Sequence, residues 1–390
     1  LIIKANISPE IPLPDGITPA REELGVVPLT LKPLYEKRVA IKMLLSELKK
    51  SDPWAKVNAA RASALKWLLV VCFGFLGYKN ARFGKIESHE AVTAGGREVL
   101  LAAKQVAEEM GFEVLHLFVD ALWVKKPGAR YTEDFRPLQA AIAERTGLGI
   151  AIDGVYRWVA FLPSRSDERI PVANRYFGVF KDGEMKVRGI ELRRRDTAPW
   201  IKEVQTEMLK ALADSYNMDT LRGQARTAFE IFRQALEDLR AGHVPFEKLV
   251  IASKISKKLE LYKSATPSVR AARLLLEKTG KRTSPGQRVR YLFTVDPPGV
   301  HPWEMPVLPE QAKIDKVKYV ELITRAASSV LYPFGVDVEE LKKWAHTSTI
   351  ELKLDFTEAN YVRTLHPNVR QRRSGVGIRA QSHTGRVAAQ

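Results

Sequence analysis

Three cations and one carboxylate are the residues of this chain whose types and spacing could do chemistry. Arg38 and Lys42 stand four apart, so on a helix they share one face. Lys66 lies in the next apolar, helix-periodic segment, and a fold-back of the two segments would bring it toward them. A guanidinium grips phosphate oxygens in pairs and an ammonium supplies a point charge, so the three together suit a triphosphate. The same spacing also serves ordinary solvated helix charges. Asp120 sits between two β-rich runs in HLFVDALWV, residues 116–124. With His116 nearby it suits a divalent cation, although an Asp at a turn also simply favours the turn. Two-metal phosphoryl transfer needs at least two carboxylates, and this segment offers one.

A second group is purely electrostatic. Arg175-Tyr176, Arg188, Arg193-Arg194-Arg195 and the run Lys254, Lys257, Lys258 have the character of a surface that follows a nucleic-acid backbone without reading bases. An alternating strand with its arginines on the solvent side would show the same residues. Lys and Arg outnumber Asp and Glu by 62 to 45, giving a formal charge of +17, and an excess of that size points to a polyanionic partner. A ribosome-associated or membrane-surface protein is the blander reading of the same charge. Cys72 is the single cysteine, which excludes an internal disulfide and a thiolate metal cluster. The seven histidines show no ligand spacing. No P-loop, GxGxxG, HExxH or GxSxG occurs, leaving the corresponding nucleotidase, dehydrogenase, metalloprotease and hydrolase readings without support. The apolar run from Trp67 to Tyr78 is shorter than the roughly twenty residues that span a bilayer, so a buried helix is expected and no membrane partner. The chain begins with Leu1 and nothing there resembles a signal peptide, consistent with a start inside a longer reading frame.

Elements that would position these residues follow from periodicity. Apolar positions 31, 34, 41, 44, 45 and 48 recur at helical spacing, and Asp52-Pro53 breaks and restarts the helix. A second helix over 53–73 then packs antiparallel on the first. A third helix covers 87–110 and ends at Gly111. Runs 112–118 and 122–125 predict a β-hairpin with Asp120 at its tip. A helix near 134–146 and strands at 150–162, 172–181 and 185–193 follow. Helices then dominate (199–215, 220–241, 268–279, 315–331, 336–346), with one strand near 288–295. The expected class is α+β: a helical hairpin, a small antiparallel sheet flanked by helices, and a mostly helical remainder.

Taken in order, the segments resemble the C-terminal part of a family B DNA polymerase over roughly residues 1–345. LIIKANISPE is similar to the stretch after that family's first catalytic motif. PLTLKPLYEKRVAIK resembles the first fingers helix, with Arg38 and Lys42 on its triphosphate-binding positions. ALKWLLVVCFGFLGY resembles the second, with Lys66 and Gly74 matching; Val70 and Val71 replace Asn-Ser, and Phe73 replaces the tyrosine that packs under the incoming nucleotide. HLFVDALWV is similar to YGDTDSxFV, with Asp120 on the second aspartate, Phe118 on the first and Ala121 on the serine. ANRYFGVF and KVRGIELRRRD resemble the palm and thumb-base segments that hold primer-template DNA, with Arg175, Tyr176, Arg188 and Arg194 on basic or aromatic positions. The usual lysine pair before Arg175 is missing. VIASKISKKLELYKSATPSVRAARLL, with Lys254 and Lys257, looks like a thumb segment. The wording of RYFGVFKDGEMKVRGIELRRRD is closest to the divergent second family B polymerase of archaea, whose motifs are often degraded.

The resemblance implies a lead-in to the palm at 1–27, a fingers hairpin at 28–80, palm at 81–198 and thumb at 199–367; the stretch 368–390, with five arginines, no acid and little apolar content, is expected to be a basic, disordered tail. It implies primer-template DNA and dNTP as partners, Mg²⁺ as cofactor, and a cytoplasmic, nucleoid-associated location. Phe118 cannot ligate a cation and the first motif's aspartate lies outside this sequence. Mg²⁺ is therefore expected to bind weakly or not at all to this chain alone, which is expected to be inactive or very weak. Two accounts follow: part of a polymerase completed by a separate N-terminal polymerase/exonuclease chain, or a non-catalytic DNA-binding accessory factor of replication or repair. A basic RNA-associated protein with a chance likeness is a third.

Overall fold

A computed structural model of the chain describes residues 1–49, 51–164, 171–216, 218–336 and 338–347. The chain divides into two compact units, Leu1–Asp153 and Gly154–Gln390. The class is α+β, with small antiparallel sheets among helices. The expected tail at 368–390 and the end of the expected thumb lie outside the described residues.

The first unit starts with an irregular segment and then α1 (Val26–Glu47), α2 (Pro53–Leu76) and α3 (Ile86–Glu109). After these come β1 (Glu113–Phe118), β2 (Ala121–Lys125) and α4 (Arg136–Thr146). The first N–H groups of an α-helix have no partner within it. In α1 three side chains of the preceding segment supply one: Asn6 Oδ1 accepts from Gly25 (2.9 Å), Glu10 Oε1 from Val26 (2.6 Å) and Ser8 Oγ from Val27 (3.2 Å). Asn6 is buried, holds φ 51° and donates its amide to the Arg21 and Glu23 carbonyls. An Asn tolerates that left-handed backbone better than most residues. Burial pushes the Glu10 carboxyl up, but hydrogen bonds from Ser8 and Val26 outweigh it and hold the group below its ordinary value.

Asp52 caps α2 by accepting from Trp54 N–H (2.8 Å), with Pro53 at the first helical position, as the break in the sequence predicts. Asn58, Ala62, Leu65, Leu69, Cys72 and Leu76, alternately four and three apart, form the inward stripe of α2. The opposite side is apolar too: Trp67 is 67% and Phe75 54% exposed. This corrects the expectation of a buried helix, because α1 and the start of α3 cover only one side of a helix whose second half, from Trp67 to Leu76, is apolar all round. By length and composition alone α2 (mean hydropathy 1.6) is also long and apolar enough to cross a membrane.

β1 and β2 form a two-stranded sheet in which Phe118 faces Ala121 and Val119-Asp120 make the turn. One side of the hairpin packs Val114, Leu122 and Val124 against Val106 and Ala107 of α3 and Ile142 of α4.

The second unit opens with the sheet β3 (Tyr156–Pro163), β4 (Pro171–Phe180) and β5 (Met185–Arg188), in that order. Helices α5 (Pro199–Ala213), α6 (Met218–Ala241) and α7 (Phe246–Leu249) follow. The chain continues through β6 (Ile251–Lys254), α8 (Pro267–Thr279), β7 (Arg288–Phe293) and β8 (Val300–Pro302), then α9 (Lys316–Leu331) and α10 (Val338–Thr347). Strand β3 starts six residues later than expected, β5 ends at Arg188 before a 3₁₀ turn over Glu191–Arg193, and β6 and β8 are additional to the one strand expected near 288–295. One core runs through this unit, with Met208, Leu209, Phe232, Leu236, Ala327 and Val330 at its centre. The buried Gln205 amide satisfies itself fully there: Nε2 donates to Ala326 O and Glu191 Oε2, and Oε1 accepts from Leu192 N–H. That bond pattern fixes the turn from which Arg193, Arg194 and Arg195 leave the core.

Asn6→Ala strands the Gly25 N–H and two carbonyls, so it should cost about 1–3 kcal/mol, read as a lower denaturant midpoint. Glu10 has a depressed folded value, so its contribution is whole above its ordinary value of 4.5 and is lost as pH falls through the folded one. Hydrogen exchange of the Val26–Leu29 amides should therefore quicken relative to α4 between pH 5 and pH 3.

Candidate nucleotide and nucleic-acid interface

The hairpin of α1 and α2 places the three cations. Arg38 Nε donates to the Ala62 carbonyl at 3.3 Å, which sets these two residues level across the antiparallel pair. Lys42 lies one turn further along α1, and Lys66 one turn past Ala62 on α2, so Lys42 and Lys66 flank Arg38 along the axis, about 6 Å to either side. Arg38 is half-buried and both lysines are exposed. Lys66 and Phe73 are seven apart, two turns of helix, and share one flank of α2. Val70 is on that flank between them, so the flank is apolar between the cation and the ring.

The ring of Phe73 is stacked on His89 of α3, with centroids 4.2 Å apart and planes 22° from parallel. His89 Nδ1 is also 3.1 Å from the Phe73 carbonyl. Composition gave no hint of this contact, because it joins residues sixteen apart across a helix–helix turn.

At the hairpin of β1 and β2 the carboxylate of Asp120 is exposed at the tip. Val119, 68% exposed, holds φ 54°, an outlying conformation for a β-branched residue. Phe118 and Ala121 face one another on the side of the sheet that also carries the His116 and Trp123 rings, 5.2 Å apart. Asp153, which precedes β3 in an irregular stretch, is exposed. Among the described residues no three His, Cys, Asp or Glu side chains gather to hold a metal ion.

In the second unit the basic residues separate into two kinds. Arg175 turns inward: Nη1 donates to Pro163 O (2.7 Å) and Nη2 to Ser329 Oγ (2.9 Å), and burial draws its guanidinium below its ordinary value. Tyr176 is 4% exposed, and burial raises its phenol against the opposing effect of Arg188, its cross-strand neighbour. Arg194 forms a two-bond pair with Asp196 (3.0 and 2.9 Å), which raises the arginine and holds the carboxyl below its usual range. Lys254 and Lys257 are exposed, Lys257 5.0 Å over the Tyr262 ring.

Lys254 stands directly opposite Arg288 in the pairing of β6 with β7. Like charges so placed destabilise a sheet, an arrangement that favours an anion across them. Next to Arg288 a depression of about 320 Å³ is lined by Lys281, Arg282, Thr283 and Gln287. The alternation Arg288, Val289, Arg290, Tyr291, exposed then buried, is the signal by which the sequence could have disclosed Arg288.

A family profile described as DNA polymerase family B matches residues 8–129 and 173–333. DNA polymerase 2 of Aeropyrum pernix is 29% identical over 373 residues, which are 91% of this chain and 44% of that protein. DNA polymerase 2 of Saccharolobus solfataricus is 33% identical over 242 residues, 60% of this chain and 34% of its own length. The solved structure of the family B DNA polymerase from Pyrobaculum calidifontis superposes with TM-score 0.53 at 26% identity, covering 85% of this chain and 42% of that one. The chain thus spans less than half the length of these relatives, and it belongs to DNA polymerase family B.

Proposed function

We propose that this chain is the nucleotide- and DNA-binding part of a family B DNA polymerase whose two-metal centre its own residues do not complete, so that alone it synthesises little or no DNA. The observation that carries this is the tip of the β1–β2 hairpin, where one carboxylate, Asp120, stands beside Phe118. Polymerases of this family use divalent ions, Mg²⁺ as a rule, held about 3.5–4 Å apart by shared carboxylates. A benzyl side chain offers no donor, and no cluster of ligating side chains occurs among the described residues. The donor set therefore does not fit a two-ion site.

The binding functions are better supplied. Arg38, Lys42 and Lys66 take the triphosphate of a dNTP and Phe73 lies under its sugar and base, while Arg188, Lys254, Lys257 and Arg288 follow the phosphates of primer-template DNA. Arg175 and Tyr176 serve that surface by holding β4 in place, and Arg194 reaches DNA only by exchanging Asp196 for a phosphate. The domain assignment proposed is fingers at 28–80, palm at 81–198 and thumb from 199 on. The part of the enzyme that carries the first motif and the exonuclease completes its centre, and the enzyme works in the cytoplasm at the nucleoid. The rival account, a DNA-binding accessory factor, makes the same binding predictions and differs only in what complementation does.

Affinity for primer-template DNA, measured by fluorescence anisotropy, should fall by about 10³-fold or more between 50 and 200 mM salt. Lys254→Ala with Arg288→Ala should lower the salt slope by roughly two, whereas Arg175→Ala should lower the thermal midpoint and leave the slope unchanged. A salt-indifferent isotherm contradicts the electrostatic reading.

In primer extension with Mg²⁺ the purified chain should give little product, and Asp120→Ala should change nothing. Robust extension abolished by that substitution would show that the remaining carboxylates suffice. Synthesis restored by an added chain bearing the first motif selects the split enzyme over the accessory factor.

A further inference from the structure

The C-terminal end of α2 has a feature that the family reading does not contain. The last four carbonyls of a helix lack intrahelical donors, and here three of them are met from different places. Leu76 O accepts from Lys85 N–H (2.8 Å), Phe75 O from Tyr78 N–H (3.2 Å), and the Phe73 carbonyl faces His89 Nδ1 at 3.1 Å. A carbonyl can only accept, so Nδ1 carries the proton and donates it. The same imidazole lies flat on the Phe73 ring, 4.2 Å between centroids. It fits because residue 77 is glycine: a Cβ there would lie 3.0 Å from His89 Cγ and Nδ1. His89 therefore grips both the backbone and the ring of one residue, from α3. A phenylalanine lacks the hydroxyl by which a tyrosine at this position could anchor itself, and the imidazole supplies the missing constraint from behind.

We propose that His89 is a positioning residue that fixes the Phe73 ring as the surface on which an incoming deoxynucleotide packs, so that affinity for the nucleoside part of the ligand depends on α3. This rests on the nucleotide-binding reading of α1 and α2. The cations Arg38, Lys42 and Lys66 do not touch His89 and bind the phosphates independently of it. Because a well-placed aromatic contact changes affinity by a modest factor, loss of the ring's support should weaken the nucleoside contact by about three- to tenfold and leave the phosphate contact alone.

The test compares dATP with inorganic tripolyphosphate as ligands of the full chain, by calorimetry, for the wild type, His89→Ala, His89→Phe and His89→Gln. Far-UV circular dichroism and thermal midpoints accompany each variant. The expected result is that His89→Ala weakens dATP by about three- to tenfold without altering tripolyphosphate, and that His89→Phe, which restores a stacking ring, recovers most of the loss. Equal weakening of both ligands, or no change in dATP, overturns the positioning role and leaves the nucleotide site standing. A wild-type chain that binds neither ligand overturns the nucleotide reading itself and the positioning role with it. Should His89→Ala fail to fold, His89→Gln, which keeps a donor for the Phe73 carbonyl, decides: undiminished dATP affinity in it refutes the role of the ring.

Discussion

The first unit depends on satisfying the ends of two long helices at the base of one hairpin. Few buried apolar residues support α1 and α2: Val27, Leu31 and Leu76 form the small core there. The definition instead comes from polar contacts. Asn6, Ser8 and Glu10 meet the first N–H groups of α1, and Lys85 N–H and His89 meet the last carbonyls of α2. An unmet buried backbone group costs about as much as a lost hydrogen bond. These contacts therefore fix where both helices leave the base, and with them the positions of Arg38, Lys42 and Lys66 along the shaft.

Charge and packing answer different demands in the second unit. Gln205 is tied into its interior by a full set of hydrogen bonds and Arg175 by two, and the penalty for leaving such groups unmet keeps β4 and the turn after β5 in register. Lys254 and Arg288 do the opposite: they face each other across two strands at an energetic cost, one that a phosphate between them would relieve. Residues of one type, arginine, thus serve as internal brace, local ion pair and exposed contact within this unit, and only geometry separates the three.

Much of the α+β architecture was legible because its signals are local. Asp52-Pro53 marks the start of α2, Gly111 follows α3, and the flanking β-rich runs locate the hairpin around Asp120. Strands β6 and β8 escaped because Ile251–Lys254 and Val300–Pro302 are too short to show a period. The exposure of α2 escaped for another reason. A helical stretch apolar on every side, as from Trp67 to Leu76, normally lies in a core, and a sequence does not state how many partners surround it. Of the site, the order of the motifs showed the family, and helical spacing put Arg38 and Lys42 on one face. The inward turn of Arg175, the pair of Arg194 with Asp196, the like-charge pair at Lys254 and the stack on His89 all depend on tertiary neighbours that no local pattern encodes.

Among all of these the proposal that Asp120 lacks partner carboxylates for a two-ion site, as no ligating cluster occurs among the described residues, has the largest chemical consequence, since it separates binding from synthesis. The most direct measurement of it is a titration of the purified chain with Mn²⁺ followed by electron paramagnetic resonance, in the presence of DNA and a dNTP and with Asp120→Ala alongside. The account predicts no protein-bound pair of ions: Mn²⁺ bound by the nucleotide phosphates, in an amount the substitution does not change. Two spin-coupled ions bound per chain, and lost in Asp120→Ala, would contradict it.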